Sequence, residues 1–573
     1  MADSYRGCDF YSYSPLPSEK FIRLLELYPG HANDNIECTL RQTELENAPK
    51  YEAISYAWGD PANKIDVLCD GKIIMVTQNL KDALLRFRIK DRPRIVWADA
   101  ICINQNDVLE KGLQVKLMKR IYGNATRVCV WLGCTTAQME PTFELIHEMV
   151  NNASFTSTHK TELLDPTSEL WSALDIFFSA TWFTRLWVVQ EVYSSHACSV
   201  FYGEHEIRWE DIVLVARLLS KLGYLSSAYL PPRYALSVLV IDSAGRYSSA
   251  TSALDAFRLF NCSDQRDKVY ALLSLPALCG LQPLIEPNYS KSVADVFEEA
   301  TMRIFTSYES LGLLSSVEHE CEIDEEWPSW VPRLDRLRTT QILHNYASGR
   351  AQSSLPRIKH IPKILISEGV RISTLSWCGV VIEEAPAKSA YGESEMDPLK
   401  QPFRELLSKY LPKITYPTDP LLHCIAMTLT VGLDFQSYCP PRDLSQFRLD
   451  FLSYLVGVLP SLDMLGTTQH LSRVLAEQGL AGNSPNFYNA AYRGCRNKRF
   501  FCTQNGAFGT GPRAAQTGDH IVLLYGSNAP CMLRTKGLYY QFVGECYLHQ
   551  HMHGEAIEMA AKGLVPVEEF EMR

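Results

Sequence analysis

The sequence predicts an α/β protein, with a doubly wound and mostly parallel sheet first, a mainly helical region next, and a small antiparallel β unit last. Three observations predict it. Apolar runs of strand length alternate with helically spaced apolar residues from 45 to 205. After Gly133 the helical spacing takes over, and from about Asn497 short alternating runs punctuated by glycine replace it. Strands that alternate with helices form a parallel sheet covered on both faces, whereas glycine-punctuated alternation marks antiparallel strands.

Taken in order, residues 1–44 read as an N-terminal extension with one short element around Phe21 to Leu27. Tyr51 to Trp58 reads as a strand that ends in the turn Gly59-Asp60-Pro61. Ile65–Cys69 and Lys72–Val76 flank Asp70-Gly71, a hairpin signal because both central residues tolerate positive φ. Leu80, Ala83, Leu84 and Phe87 have helical spacing, Arg94–Asp99 is a short apolar strand, and Leu113, Leu117, Ile121 and Tyr122 mark a helix. Val128–Leu132 closes the alternation. Further helices are expected at 139–150, 168–179, 183–194, 209–222, 253–260 and 293–306, with linkers around 318–362 and 384–402. Strands follow at 499–503, 520–525 and 541–547, and GAFGTGP reads as a turn because no helix follows it. The expected division is therefore 1–44, 45–205, 206–495 and 496–573.

Composition narrows the function classes. The 573 residues exceed one compact core and suggest two to four units at roughly 150 residues each. Hydrophobic residues at 46% and charged residues at 21% are ordinary for a folded chain. The net charge is -10 with no basic run, which argues against an obligate nucleic-acid partner. The first twenty residues lack the basic flank and apolar core of a signal peptide. The longest apolar candidates, such as Ile212–Leu219, fall short of the ~20 residues a membrane span needs, so a cytoplasmic location is expected. The 17 cysteines are scattered singly, as Cys102 and Cys129 illustrate, without a CxxC pair, and read as free thiols.

In doubly wound sheets ligands bind beyond the carboxyl ends of the strands, where strand order reverses. That rule singles out Trp58, Gly59 and Asp60 after the first strand, and Asp99 with Asn104, Gln105 and Asn106 after the central one. Asp99 is a ligand-binding candidate or a cap for the turn that follows. Asn104, Gln105 and Asn106 bind a ligand or shape their own loop, since such side chains bond nearby backbone readily. Trp58 stands at a strand end, where an aromatic ring could stack on a base. His549, His551 and His553 alternate, so on one strand they would face the same way; lacking a well-spaced fourth ligand, they read as a surface strand and no metal is assigned.

Three motifs carry a resemblance. YEAISYAWGD (51–60), WADAICINQND (97–107) and WFTRLWVVQEV (182–192) resemble, in order and spacing, the HET (heterokaryon incompatibility) domain family. Trp58, Trp97, Trp131, Trp182 and Trp187 recur there with fixed neighbours. CSDQRDKVYALLSL (262–275), WPSWVPRLD (327–335) and the region from Asn497 onward resemble the accessory part of such proteins. The resemblance implies a fungal protein of self/non-self recognition and programmed cell death, a form of innate immunity, acting with a partner incompatibility protein and through self-association.

A second resemblance is to TIR domains, themselves of flavodoxin-like architecture: ISY on a first strand, an aspartate ending a central strand, and later Trp-x-x-x-Glu on a helix. The chain departs from it by a long insertion between Leu132 and Trp182. In NAD-cleaving TIR enzymes that glutamate is catalytic, which implies Glu191 as the catalytic carboxylate, with Trp187 beside it at i,i+4. No cofactor is implied, and NAD enters as a candidate substrate. The alternative for Glu191 is a structural ion pair with Arg94, Arg127 or Arg185. The alternative for the module is assembly without chemistry.

Overall fold

The computed structural model describes residues 9–573 apart from 32–33, 61, 136–138, 152–168, 222–233, 282, 341–342, 344–345, 347, 350–358, 384–397, 411–419, 435, 459–476 and 478–479. Two compact units divide the chain, Met1–Val293 and Ala294–Arg573. The division falls inside the region expected to be one helical accessory part, and most of the linker expected at 384–402 lies outside the described residues.

The first unit is built on one nine-stranded sheet. Its strands are β1 (Phe21–Leu27), β2 (Glu37–Glu44), β3 (Glu52–Tyr56), β4 (Lys64–Cys69), β5 (Lys72–Thr77), β6 (Arg94–Trp97), β7 (Val128–Gly133), β8 (Cys198–Tyr202) and β9 (His205–Arg208). They lie in the order β5-β4-β2-β1-β6-β3-β7-β8-β9. The sheet is mixed, which corrects the expectation of a mostly parallel one. β3 pairs in parallel with β6 and β7, and β7 with β8, while β1–β2, β1–β6, β4–β5 and β8–β9 are antiparallel. β2 also pairs in parallel with β4. The tight turns of β4–β5 and β8–β9 force those pairs antiparallel, and helical crossovers set β3, β6, β7 and β8 side by side. Asp70 and Gly71 take φ of 51° and 74° in the β4–β5 turn, as expected.

Three helices bridge the parallel strands. α1 (Gln78–Phe87) buries Leu80, Ala83, Leu84 and Phe87, the apolar stripe its spacing announced. α2 (Asp99–Cys102) is a single turn after β6. α3 (Val108–Asn124) begins at Asp107, whose carboxylate accepts the N–H groups of Leu109 and Glu110, both at 3.0 Å. The chain passes from β3 to β6 on one side and then to β7 on the other, so strand order reverses at β3.

The stretch expected to be an extension supplies β1, which lies inside the sheet between β2 and β6. The short element expected around Phe21 to Leu27 is thus a strand, in which Ile22 to Leu25 are all buried and include a charge. Arg23 is that charge. Its guanidinium meets Glu110 of α3 twice, at 2.6 and 2.9 Å, and donates to the Cys102 and Ser14 carbonyls at 3.2 and 2.8 Å.

The second unit holds β10 (Lys359–Ile361), β11 (Ile364–Val381), β12 (Lys498–Thr503), β13 (Phe508–Pro512), β14 (His520–Leu524), β15 (Cys531–Lys536), β16 (Tyr539–Glu545), β17 (Tyr547–Leu548) and β18 (Val567–Met572). β11, β14, β15, β16 and β18 pair into a closed ring, and β12, β13 and β17 continue the sheet from β11. All these pairings are antiparallel except β16–β18. The β unit is therefore larger than the tail from Asn497, since β11 comes from the stretch expected to be helical.

Two local readings are corrected. Gly509 and Gly511 lie within β13 rather than in a turn; a Cβ on Gly509 would meet the Tyr547 carbonyl oxygen at 2.2 Å. The strand that would align the histidines ends at Leu548, and His549–His551 form a 3-10 turn. Among the described residues no helix is long and apolar enough to cross a membrane.

The Arg23–Glu110 pair gives the first prediction. Arg23→Met leaves Glu110 buried without its countercharge, a change that costs ~3–5 kcal/mol. Urea unfolding of the full chain should show an earlier transition in the variant, and coincident curves would contradict the role given to β1.

Candidate functional site

The carboxyl end of β3 is where the sequence motifs meet. Ser55 and Tyr56 are both buried there. Glu191, on the helix Trp187–Ser194, is only 2% exposed. The Ser55 hydroxyl donates to Glu191 Oε2 and accepts the Trp182 indole N–H at 2.6 Å. An indole nitrogen only donates, so the serine proton is left for the carboxyl group. Trp182 is set on the short turn Thr181–Thr184 and packs edge-on to Trp209.

Burial pushes the Glu191 carboxyl up to about 7, against the opposing pull of the Arg185 charge and the Ser55 hydrogen bond; the Asp99 charge adds to the rise. Arg185 donates to the Tyr56 carbonyl, and Glu191 has no ion pair among the described residues. The other two arginines weighed as partners lie elsewhere. Arg94 and Arg127 both pair with Glu52 at the start of β3. The structural ion pair is thus reduced to a through-space attraction to Arg185.

Trp58, Asp99 and Gln105 are brought together. Trp58 is 40% exposed and donates its indole N–H to Asp99 Oδ2 at 2.8 Å. Asp99 also accepts the Ala100 N–H at 2.8 Å, and its carbonyl accepts from Gln105 Nε2 at 2.9 Å. Asp99 therefore opens its helical turn as the first residue, bonds the N–H that follows it and orients Trp58. Tyr56 has a buried hydroxyl close to Asp99, and burial followed by the Asp99 charge holds it well above the usual phenol range.

Other candidates are placed as turn formers. Gly59 has φ of 76°, and Asp60 accepts the Ala62 N–H at 2.9 Å. Asn104 accepts the Asn106 N–H at 3.2 Å and donates its own backbone N–H to Glu110 at 2.7 Å. Trp187 does not line the strand ends; its indole N–H goes to Asp267 Oδ2 at 3.0 Å. Sequence reasoning missed Ser55, Tyr56 and Asp267 as site residues. Ser55 did carry a signal, as a small polar residue in the fully buried run Ala53–Tyr56.

The raised carboxyl makes stability depend on pH. The fold favours the protonated form of Glu191, so its contribution is complete below the ordinary 4.5 and is lost as pH rises through about 7. That displacement corresponds to on the order of 3 kcal/mol. Relative to Glu191→Gln, the native chain should therefore lose stability between pH 5 and pH 8. Denaturant unfolding of both proteins checks this, and a constant difference across that range would contradict it.

Comparison with known proteins agrees with this geometry. Residues 51–191 match the family described as Heterokaryon incompatibility protein (HET), a match that ends on Glu191 itself. Residues 464–563 match the Het-6 beta-barrel domain; β11 and β18, which complete the ring, fall outside that match. The Neurospora crassa protein named "Heterokaryon incompatibility protein 6, OR allele" is 24% identical, over 94% of this chain and 95% of its own length. No solved structure matches the chain. With the three motifs gathered around β3, the chain carries a HET domain over residues 51–191.

Proposed function

We propose that this protein serves fungal self/non-self recognition and that its HET module answers the trigger by cleaving a nucleotide of the NAD class. The observation that carries the reading is Glu191, a carboxyl group buried at the reversal of strand order, without an ion pair among the described residues and poised near neutrality. Carboxyl groups placed in this way recur at catalytic sites.

Chemistry explains why such a group is useful. The bond between ribose C1′ and the nicotinamide nitrogen breaks, the pair of electrons leaves with neutral nicotinamide, and positive charge builds on the ribose. A carboxylate in a low-dielectric site stabilises that charge. Water then adds its oxygen to C1′ and releases a proton, leaving ADP-ribose. Trp58, exposed above Asp99, offers a face on which a ring can stack. Self-association or an incompatibility partner would supply the opening that brings Glu191 to substrate.

A second reading is favoured by the enclosure of Glu191. With its carboxyl covered and engaged by Ser55, the module would signal by assembly alone, and the carboxyl would be a device of the core.

The two readings part on one experiment. Full-length protein, free and forced to self-associate, is incubated with NAD beside its Glu191→Gln variant. Glycohydrolysis predicts NAD loss that falls at least ~100-fold in the variant, about 2.7 kcal/mol of lost transition-state stabilisation, and growth arrest of a fungal host only by the native form. If the folded, self-associated native protein leaves NAD intact, assembly is the better account.

A further inference from the structure

The HET match stops at Glu191, but the contacts that set this residue's position do not. We propose that Asp267 is a positioning residue for Glu191, acting through Trp187, so that the working module extends through the segment Asn261–Ala271. The inference rests on Glu191 being the functional carboxyl and goes further by naming what holds it in register.

Three groups of contacts lead to it. The chain entering the Glu191 helix is stitched to Asn261, which receives the Leu186 N–H at its carbonyl (2.8 Å) and donates its own N–H to the Thr184 carbonyl (2.6 Å). One residue further, Trp187 is tied to Asp267 Oδ2 at 3.0 Å. The other oxygen of Asp267 accepts the Tyr289 hydroxyl at 2.7 Å, so both are occupied. The carboxylate is itself held firmly, because Lys268 donates to the Arg258 and Phe260 carbonyls at 2.8 and 2.5 Å. Arg266 beside it is clamped by Asp264 at 2.8 and 2.9 Å.

The lever is short. Trp187 and Glu191 are one helical turn apart on the same helix, so fixing the indole fixes both the rotation and the axial position of the helix that delivers Glu191 to Ser55. A buried aspartate serves here because a charged acceptor bonds more strongly and directionally than a neutral one. Asp267 is 4% exposed and lies within the CSDQRDKVY motif, outside the chemistry proposed for the site. That placement gives a physical reason for this motif to follow the HET segment.

The test reads Glu191 directly. Full-length protein is treated with a water-soluble carbodiimide and an amine, and amidation of Glu191 is followed by peptide mass spectrometry. The native chain should resist modification there. Trp187→Phe removes only the N–H, and Asp267→Asn keeps the shape while removing the charge. Either should raise Glu191 amidation at least tenfold with the fold retained. Arg88→Met, which removes bonds to the Asp34 and Asn35 carbonyls elsewhere in the same unit, serves as the control and should not. If Trp187→Phe does not fold, Asp267→Asn decides alone. Glu191 as protected in the folded variants as in the native chain, or equally exposed in the control, would overturn the proposal. Amidation does not need NAD, so an increase without any NAD loss would keep Asp267 as the positioning residue while removing the glycohydrolase reading.

Discussion

Everything around the candidate site depends on the hydrogen bond between Ser55 and Glu191. A carboxyl group taken out of water costs several kcal/mol unless it is protonated, paired or bonded. Here the pairing is weak, so the cost is offset by the Ser55 hydroxyl, by retention of the proton to about 7, and by Arg185 at a distance. Each of these requires the helix Trp187–Ser194 to sit at one height against β3. Trp182 fixes the serine, and the Asp267 tether fixes the helix.

The sheet makes that geometry available. β3 is flanked on both sides by parallel neighbours, which leaves its carboxyl end open to groups arriving after β6 and before β8. Hairpins at either side extend the sheet without crossing this end. β1, locked to α3 through Arg23 and Glu110, braces the loop after β6 from which Asp99 and Gln105 reach Trp58. Arg94 and Arg127, both committed to Glu52, keep positive charge at the other end of β3 and away from Glu191.

Much of this was legible in the sequence because the patterns were local. The Asp70-Gly71 turn, the apolar stripe of α1 and the central strands follow from short-range rules, and the motif glutamate fell where strand order reverses. What escaped was non-local. The element at Phe21 to Leu27 was foreseen but its place inside the sheet was not, because a strand buried on both faces, with a buried arginine in it, shows no alternation. The long β11 is separated in sequence from β12, β14 and β18 by more than a hundred residues. Trp187 was placed beside Glu191 from helical spacing, but the acceptor for its indole lies 80 residues away. The pairing of Ser55 with Glu191 spans 136 residues, and no spacing rule reaches that far.

The central claim is that Glu191 is a neutral-range carboxyl created by burial and held by Ser55. Its titration can be followed by carbon-13 NMR of glutamate-labelled full-length protein, with the resonance assigned by its loss in Glu191→Gln. The account predicts a midpoint at about 7. A Glu191 midpoint near the ordinary 4.5 would contradict it.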